Sequence, residues 1–308
     1  MTTALFTHSD CLEHGVPPGH PECPARLIAI QKALSEDKFA ALDRRDAPLA
    51  TTDQIAQAHP QSFVDSVRAM IPETGIARVD ESTSASSGSW AAALRAAGSV
   101  IAASDAVMTG EVSNAFCAIR PPGHHAEPET AMGFCLFNNV AVGAHHLRNS
   151  HGLSRIAAID FDVHHGNGVQ AFFETDPDLF YGSTHEAPLY PGTGRASERG
   201  VAGNIVNVPL ASGAGSDEFR AGLEEILLEM DRFAPEFIFI SAGFDAHRAD
   251  PLATICLTED DYIWATEKIL ALAEKHCQGR VVSSLEGGYD LGALAASTAA
   301  HVETLMSA

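Results

Sequence analysis

Apolar residues in this chain fall in short unbroken runs rather than in alternation, and stretches of helical spacing separate the runs. Ala115-Phe116-Cys117-Ala118-Ile119, Arg155-Ile156-Ala157-Ala158-Ile159, Leu179 to Thr184, Ile205 to Leu210, Phe237 to Ala242 and Arg280 to Leu285 each read as a buried strand. Helical pattern fills the intervals, from about Gly168 to Glu174, from Ser216, from Thr258 to about His276 and from Leu291 onward. Ser216 is the expected cap of its helix, with Asp217 and Glu218 favourable against the helix dipole. Thr258-Glu259-Asp260-Asp261 has the form of a capping box. Continuous apolar strands alternating with helices predict an α/β fold: a mostly parallel central sheet with helices on both faces.

The first third of the chain is less regular. Thr3 to Thr7 reads as a first strand, and a helix starts near Ala25, with Leu27, Ile28, Ile30 and Leu34 close to helical spacing. Two further helical pieces cover about 52–58 and 61–70, with His59-Pro60 stopping the first. The polar, serine-rich stretch 72–89 predicts a surface loop. Ser89 is the expected cap of a helix running to about Thr109, with Gly110 behind it. Gly133 to Phe137 is expected to be a strand leading into a helix that ends near Asn149. With no internal repeat, low-complexity segment or linker, residues 1–308 read as one domain.

Residues of catalytic type cluster just past the strand ends. Asp160, Asp162, His164 and His165 crowd the end of the run at 155–159, ahead of Gly166 and Gly168. Side chains at i and i+2 of an extended chain point the same way, so Asp162 and His164 can grip one ion. Solvated side chains at a polar strand end are the bland alternative. His124 and His125 come after another strand, on a turn stiffened by Pro121 and Pro122; Asp245 and Tyr289 come after two more. In a parallel sheet these ends share one rim, where an α/β fold places its site. Asp162, His164 and Asp245 then supply three ligands and leave an open position, the arrangement of a catalytic zinc. Amide hydrolysis beside such an ion needs a base for water and an acid for the leaving amine, and one histidine of the 124–125 pair could do both. Asp160 and Asn167 are available to fix the histidine tautomers; Asp160 would raise a histidine's basicity and Asn167 would not. Tyr289, in a glycine turn, could donate to a developing oxyanion.

Composition narrows the partners. The formal net charge is −21, from 19 Lys+Arg against 40 Asp+Glu, which repels nucleic acid and anionic membranes and would suit a cationic substrate. Six scattered cysteines without a C-x-x-C pair argue for reduced thiols in a cytoplasm. The N-terminus lacks the form of a signal peptide, and no run of about 20 apolar residues is present to span a membrane. Nothing in the composition excludes a homo-oligomer.

Taken together, the chain resembles the histone deacetylase superfamily, on its class II-like bacterial side (histone deacetylase-like amidohydrolases). The matching stretches are His20-Pro21-Glu22-x-x-x-Arg26, Arg120-Pro121-Pro122-Gly123-His124-His125, Gly133-Phe134-Cys135, Asp160-x-Asp162-Val163-His164-His165-Gly166-Asn167-Gly168, Tyr190-Pro191-Gly192-Thr193-Gly194, Ala242-Gly243-Phe244-Asp245 and Glu286-Gly287-Gly288-Tyr289. The resemblance implies the arginase-deacetylase fold, Zn²⁺ on Asp162, His164 and Asp245, His125 as general base and acid, His124 as its electrostatic partner and Tyr289 as oxyanion donor. It also implies a structural K⁺ on the Asp160 and Ser183 side chains and the backbone of Asp162, His164 and Thr184. An acyl-lysine tunnel would run past Gly133 between Phe134 and Tyr190, with Arg26 near its foot. Leu252 stands where polyamine-selective relatives carry a glutamate, which favours an acetylated lysine peptide or protein over a small acetylated amine. Glu22, or the rim from Asp80 to Ser82, is expected to hold the substrate's amide or ammonium. The expected activity is zinc-dependent removal of acetyl, or longer acyl, groups from lysine. An acetylpolyamine deacetylase and a non-catalytic acyl-lysine binder are the competing readings.

Overall fold

The computed structural model describes residues 2–308. In chain order the elements are β1 (Thr3–Thr7), α1 (Pro24–Ala33), β2 (Asp43–Asp46), α2 (Thr52–Ile55), α3 (Gln61–Met70), β3 (Ile76–Arg78), β4 (Ser84–Ser86), α4 (Ser89–Met108), β5 (Asn114–Cys117) and α5 (Asn139–His151). Next come β6 (Ile156–Asp160), α6 (Asn167–Phe173), β7 (Leu179–Glu186), β8 (Ile205–Leu210), α7 (Ser216–Phe233), β9 (Phe237–Ala242), α8 (Glu259–Cys277), β10 (Val281–Leu285) and α9 (Leu291–Met306). Eight strands form one sheet in the order β2-β1-β5-β10-β9-β6-β7-β8, and every pairing in it is parallel. Helices cover it on both sides: α4 packs on β5 and β10 and against α5, while α7 packs on β7 and β8 and the pairs α7–α8, α8–α9 and α9–α1 continue the other layer. The protein is thus a single α/β domain.

The unbroken apolar runs exist because the central strands are buried on both faces. All of β6, β9 and β10 is buried, and so is the sequence Phe237-Ile238-Phe239-Ile240 that fills the middle of the core. Four neighbouring strands, β5-β10-β9-β6, bring the ends that precede His124, Tyr289, Asp245 and Asp162 side by side. In register, Asp160 of β6 sits opposite Ser241 of β9 and Ser183 of β7.

Several local expectations fail for physical reasons. Residues 133–137 form a turn rather than a strand: Gly133 and Phe134 have φ of 57° and 70°, the left-handed region, which an extended strand cannot contain. Neither serine caps its helix. Gly88 and Gly215 take the cap positions, the Ser89 hydroxyl accepts from the Ser86 amide at 2.7 Å, and the Ser216 hydroxyl donates to Asp261 at 2.8 Å. At Thr258 one arm of the expected capping box forms, with Asp261 accepting from the Thr258 amide at 3.0 Å. The polar stretch 72–89 contains the β3–β4 hairpin, and the edge strand β2 is Asp-Arg-Arg-Asp, a charged sequence suited to an edge that must resist pairing. Helix α4 is long and apolar enough to cross a membrane, but 67% of its apolar window is buried under other elements, as befits a core helix.

Candidate active site

Asp162, His164 and Asp245 converge, with their ligand atoms all within 4.8 Å of one another and all three residues buried. His164 Nδ1 lies 3.1 Å from Asp162 Oδ1 and 3.2 Å from Asp245 Oδ2. Backbone amides fix both carboxylates: Val163 N donates to Asp245 Oδ1 at 2.8 Å, His164 N to Asp162 Oδ1 at 2.9 Å and Gly287 N to Asp162 Oδ2 at 2.8 Å. The surrounding backbone comes so close that side chains are excluded. A Cβ on Gly243 would lie 2.0 Å from Asp162 Oδ2, and one on Gly287 2.0 Å from Asp245 Oδ2. Two buried carboxylates compete here for one imidazole nitrogen, which can offer a single proton. A divalent cation would satisfy all three groups at once, so the donor set fits zinc.

The potassium ligands expected from sequence lie just behind. Asp160 Oδ2 receives the Tyr181 hydroxyl at 3.0 Å, and Ser183 Oγ bonds His185 Nδ1 at 2.9 Å. Among the described residues the carbonyls of Asp162 and His164 accept no hydrogen bond. Buried carbonyls with no donor fit a hard monovalent cation held with the Asp160 and Ser183 side chains and the Thr184 carbonyl.

The two histidines divide the two available partners. His124 Nδ1 pairs with Asp160 Oδ2 at 3.1 Å, and its Nε2 stands 3.8 Å from Asp162 Oδ2. Burial opposes its charge, but Asp162, Asp160 and Glu286 outweigh that and raise its pKa to about 10. His125 Nδ1 instead meets Asn167 Oδ1 at 2.9 Å. Burial, followed by the positive charge on His124 and His164, lowers its pKa well below the ordinary value. The donated Nδ1 proton therefore leaves a neutral ring whose Nε2 is a free base, beside a charged neighbour with ring centroids 3.9 Å apart. Gly133 is required at this spot, because a Cβ there would lie 2.4 Å from the His125 ring.

Tyr289 stays a phenol: burial first, then Asp245, pushes its pKa well above 10. Its amide donates to Asp250 Oδ2 at 2.7 Å, and the Arg26 guanidinium lies 5.0 Å from its ring centre. A cavity of about 220 Å³ is lined by Ser82, His125, Gly133, Phe134, His164, Leu189, Tyr190, Leu252 and Tyr289. Tyr190 meets the His125 ring edge-on at 5.1 Å, and Phe134 meets Tyr289 at 6.0 Å. Phe134, Tyr190 and Leu252 all line this cavity.

Two residues expected at the pocket, Glu22 and Arg26, do not line it. Glu22 cannot touch a substrate. It is fully buried between Arg26 and Arg120, at 3.1 Å from Arg26 Nη1 and 2.6 Å from Arg120 Nη2. Arg26 is also fully buried and does not line the cavity; it donates to the Gly288 and Glu286 carbonyls, each at 2.6 Å, and so props the turn that carries Tyr289. On the rim, Asp80 Oδ1 accepts from the Ser82 amide at 2.7 Å, and Ser82 lines the cavity.

Other residues were not singled out by sequence. Glu286 Oε2 accepts from the Gly123 and His124 amides at 2.7 and 3.1 Å, anchoring the histidine turn. Asp250 anchors Tyr289, and the Thr83 hydroxyl accepts from the Phe134 amide at 3.0 Å. Their signal was present as polar residues beside the motifs, but nothing local says which distant amide each one meets.

The Histone deacetylase domain family model matches residues 20–305. The chain is 39% identical to Histone deacetylase 14, chloroplastic, of Arabidopsis thaliana, across 98% of this chain and 76% of that one. It is also 39% identical to a probable deacetylase of Archaeoglobus fulgidus, across 96% and 83%. The crystal structure of the HDA15 HD domain superposes with a TM-score of 0.93 at 35% identity, covering 99% of this chain and 88% of that one.

Proposed function

Since the chain belongs to the histone deacetylase family, we propose that it is a zinc-dependent amidohydrolase that removes acetyl, or longer acyl, groups from lysine side chains. The observation that carries the reading is the convergence of Asp162, His164 and Asp245 next to a cavity that His164 lines together with His125 and Tyr289. A divalent ion held by those three side chains would serve as Lewis acid for the amide carbonyl and would acidify water. His125 takes the proton of the attacking water at Nε2 and delivers it to the leaving amine. Asn167 holds the other ring nitrogen, and charged His124 supplies a fixed positive field beside the reacting atoms. Tyr289 donates its hydroxyl to the oxyanion. Phe134 and Tyr190 exclude water from the alkyl chain of the substrate, and Leu252 at the mouth favours a peptide-borne lysine. K⁺ beside Asp160 would stiffen the strand end that carries Asp162 and His164. Six free cysteines fit a reducing compartment such as a cytoplasm.

Hydrolysis of an acetyl-lysine peptide, N-acetylputrescine and N-acetylspermidine by the zinc-loaded protein tests the proposal. We expect the peptide to be preferred. A strong preference for the polyamines would overturn the reading of Leu252, and tight peptide binding without turnover would make the protein a binder.

A further inference from the structure

A second cluster of ligand-type side chains lies away from the cavity, where α4 meets the end of α5. Asp105 Oδ1 is 2.7 Å from His146 Nε2 and 2.6 Å from His151 Nε2. The three ligand atoms lie within 4.8 Å of one another, as those of Asp162, His164 and Asp245 do. We propose that Asp105, His146 and His151 form a second divalent-metal site, of zinc type, that clamps α4 to α5.

Four observations support it. First, both imidazoles aim the same ring nitrogen at the same oxygen, so one ion placed among them would be bound by two nitrogens and a carboxylate, a set suited to zinc. Second, His146 Nδ1 is occupied by Ser150 Oγ at 3.3 Å, the outer bond that orients a ligating imidazole. Third, His151 is the last residue of α5, before the left-handed Gly152 cap, so the negative end of the helix favours a cation there. Fourth, the Asp105 side chain is 47% exposed, against 9% for His146 and 20% for His151, which gives an ion a route in. On the Asp105 side the geometric adjustment is small. Tetrahedral zinc at about 2.0–2.1 Å from each ligand sets neighbouring ligand atoms about 3.3 Å apart. The exposed Asp105 carboxylate would therefore retreat by roughly 0.6 Å, the difference between that spacing and the present contacts. The site does not depend on the proposed hydrolase activity.

Zinc chloride titration by calorimetry, with bound metal counted by mass spectrometry after gel filtration, tests it. Wild type should bind two equivalents. The variants His146→Ala/His151→Ala and Asp105→Asn should each bind one and keep wild-type turnover of an acetyl-lysine peptide. Asp162→Ala should also bind one, without turnover, and zinc should still raise its Tm. Equal zinc content in wild type and both α4–α5 variants, or a single equivalent in wild type, overturns the second site. An Asp162→Ala protein that holds no zinc would likewise overturn the second site, whereas one that holds a single equivalent without turnover separates that site from the cavity.

Discussion

Replacing Glu22 by Gln keeps the shape of the side chain and removes one buried negative charge from between Arg26 and Arg120. Both guanidiniums are fully buried, so the change leaves them short of a counter-ion that water cannot supply. Breaking a buried pair from one side costs roughly 3–5 kcal/mol. The titration of Glu22 gives a similar figure. Burial raises its pKa, but Arg120, then Arg26, overcome this and hold it at about 2 against an ordinary 4.5, a difference of roughly 3 kcal/mol. Because the folded pKa lies below the unfolded one, that stability is complete above about pH 4.5 and fades as pH falls towards 2. Urea unfolding of wild type and Glu22→Gln, followed by tryptophan fluorescence, measures it. The variant should be less stable by about 3 kcal/mol at pH 7, with the gap narrowing between pH 4.5 and pH 2. A gap under about 1 kcal/mol at pH 7, the scale of a surface ion pair, would refute the argument, as would a gap that stays constant with pH.

Tyr289→Phe should keep its zinc and lose about 100-fold or more in kcat, the scale of one oxyanion donor; an unchanged rate in steady-state kinetics would remove Tyr289 from the chemistry. Gly287→Ala should fold but bind zinc poorly, since its Cβ would meet Asp245 Oδ2 at 2.0 Å and Asp162 Oδ2 at 2.6 Å; wild-type zinc content would contradict the close fit. Leu252→Glu should shift kcat/KM from acetyl-lysine peptide towards N-acetylspermidine, and an unmoved ratio would show that the rim at Leu252 does not select substrate.

The strand runs were legible because strands buried on both faces must be apolar throughout, as Phe237–Ala242 is. The candidate ligand cluster was legible because parallel strand ends share one rim, which brings Asp162 and Asp245 together from positions 83 apart in the chain. Two classes of feature were not legible. Backbone conformation at Gly133-Phe134 arises from the need to lay a side-chain-free backbone against the His125 ring, and an apolar composition hides that. Polar pairings depend on approach in three dimensions. Nothing local assigns Asp160 to His124 and Asn167 to His125, although the chain offered both acceptors. The same holds for Glu22, which sits in a motif beside the site yet serves two arginines beneath it.

Chelation followed by zinc add-back, in wild type and Asp245→Asn, tests the metal centre most directly, with acetyl-lysine peptide hydrolysis as the readout. Chelated wild type should be inactive and should recover with zinc chloride, whereas Asp245→Asn should stay inactive at the same zinc concentration. Turnover by the chelated, metal-free wild type, or full recovery in Asp245→Asn, would contradict a hydrolase built on Asp162, His164 and Asp245.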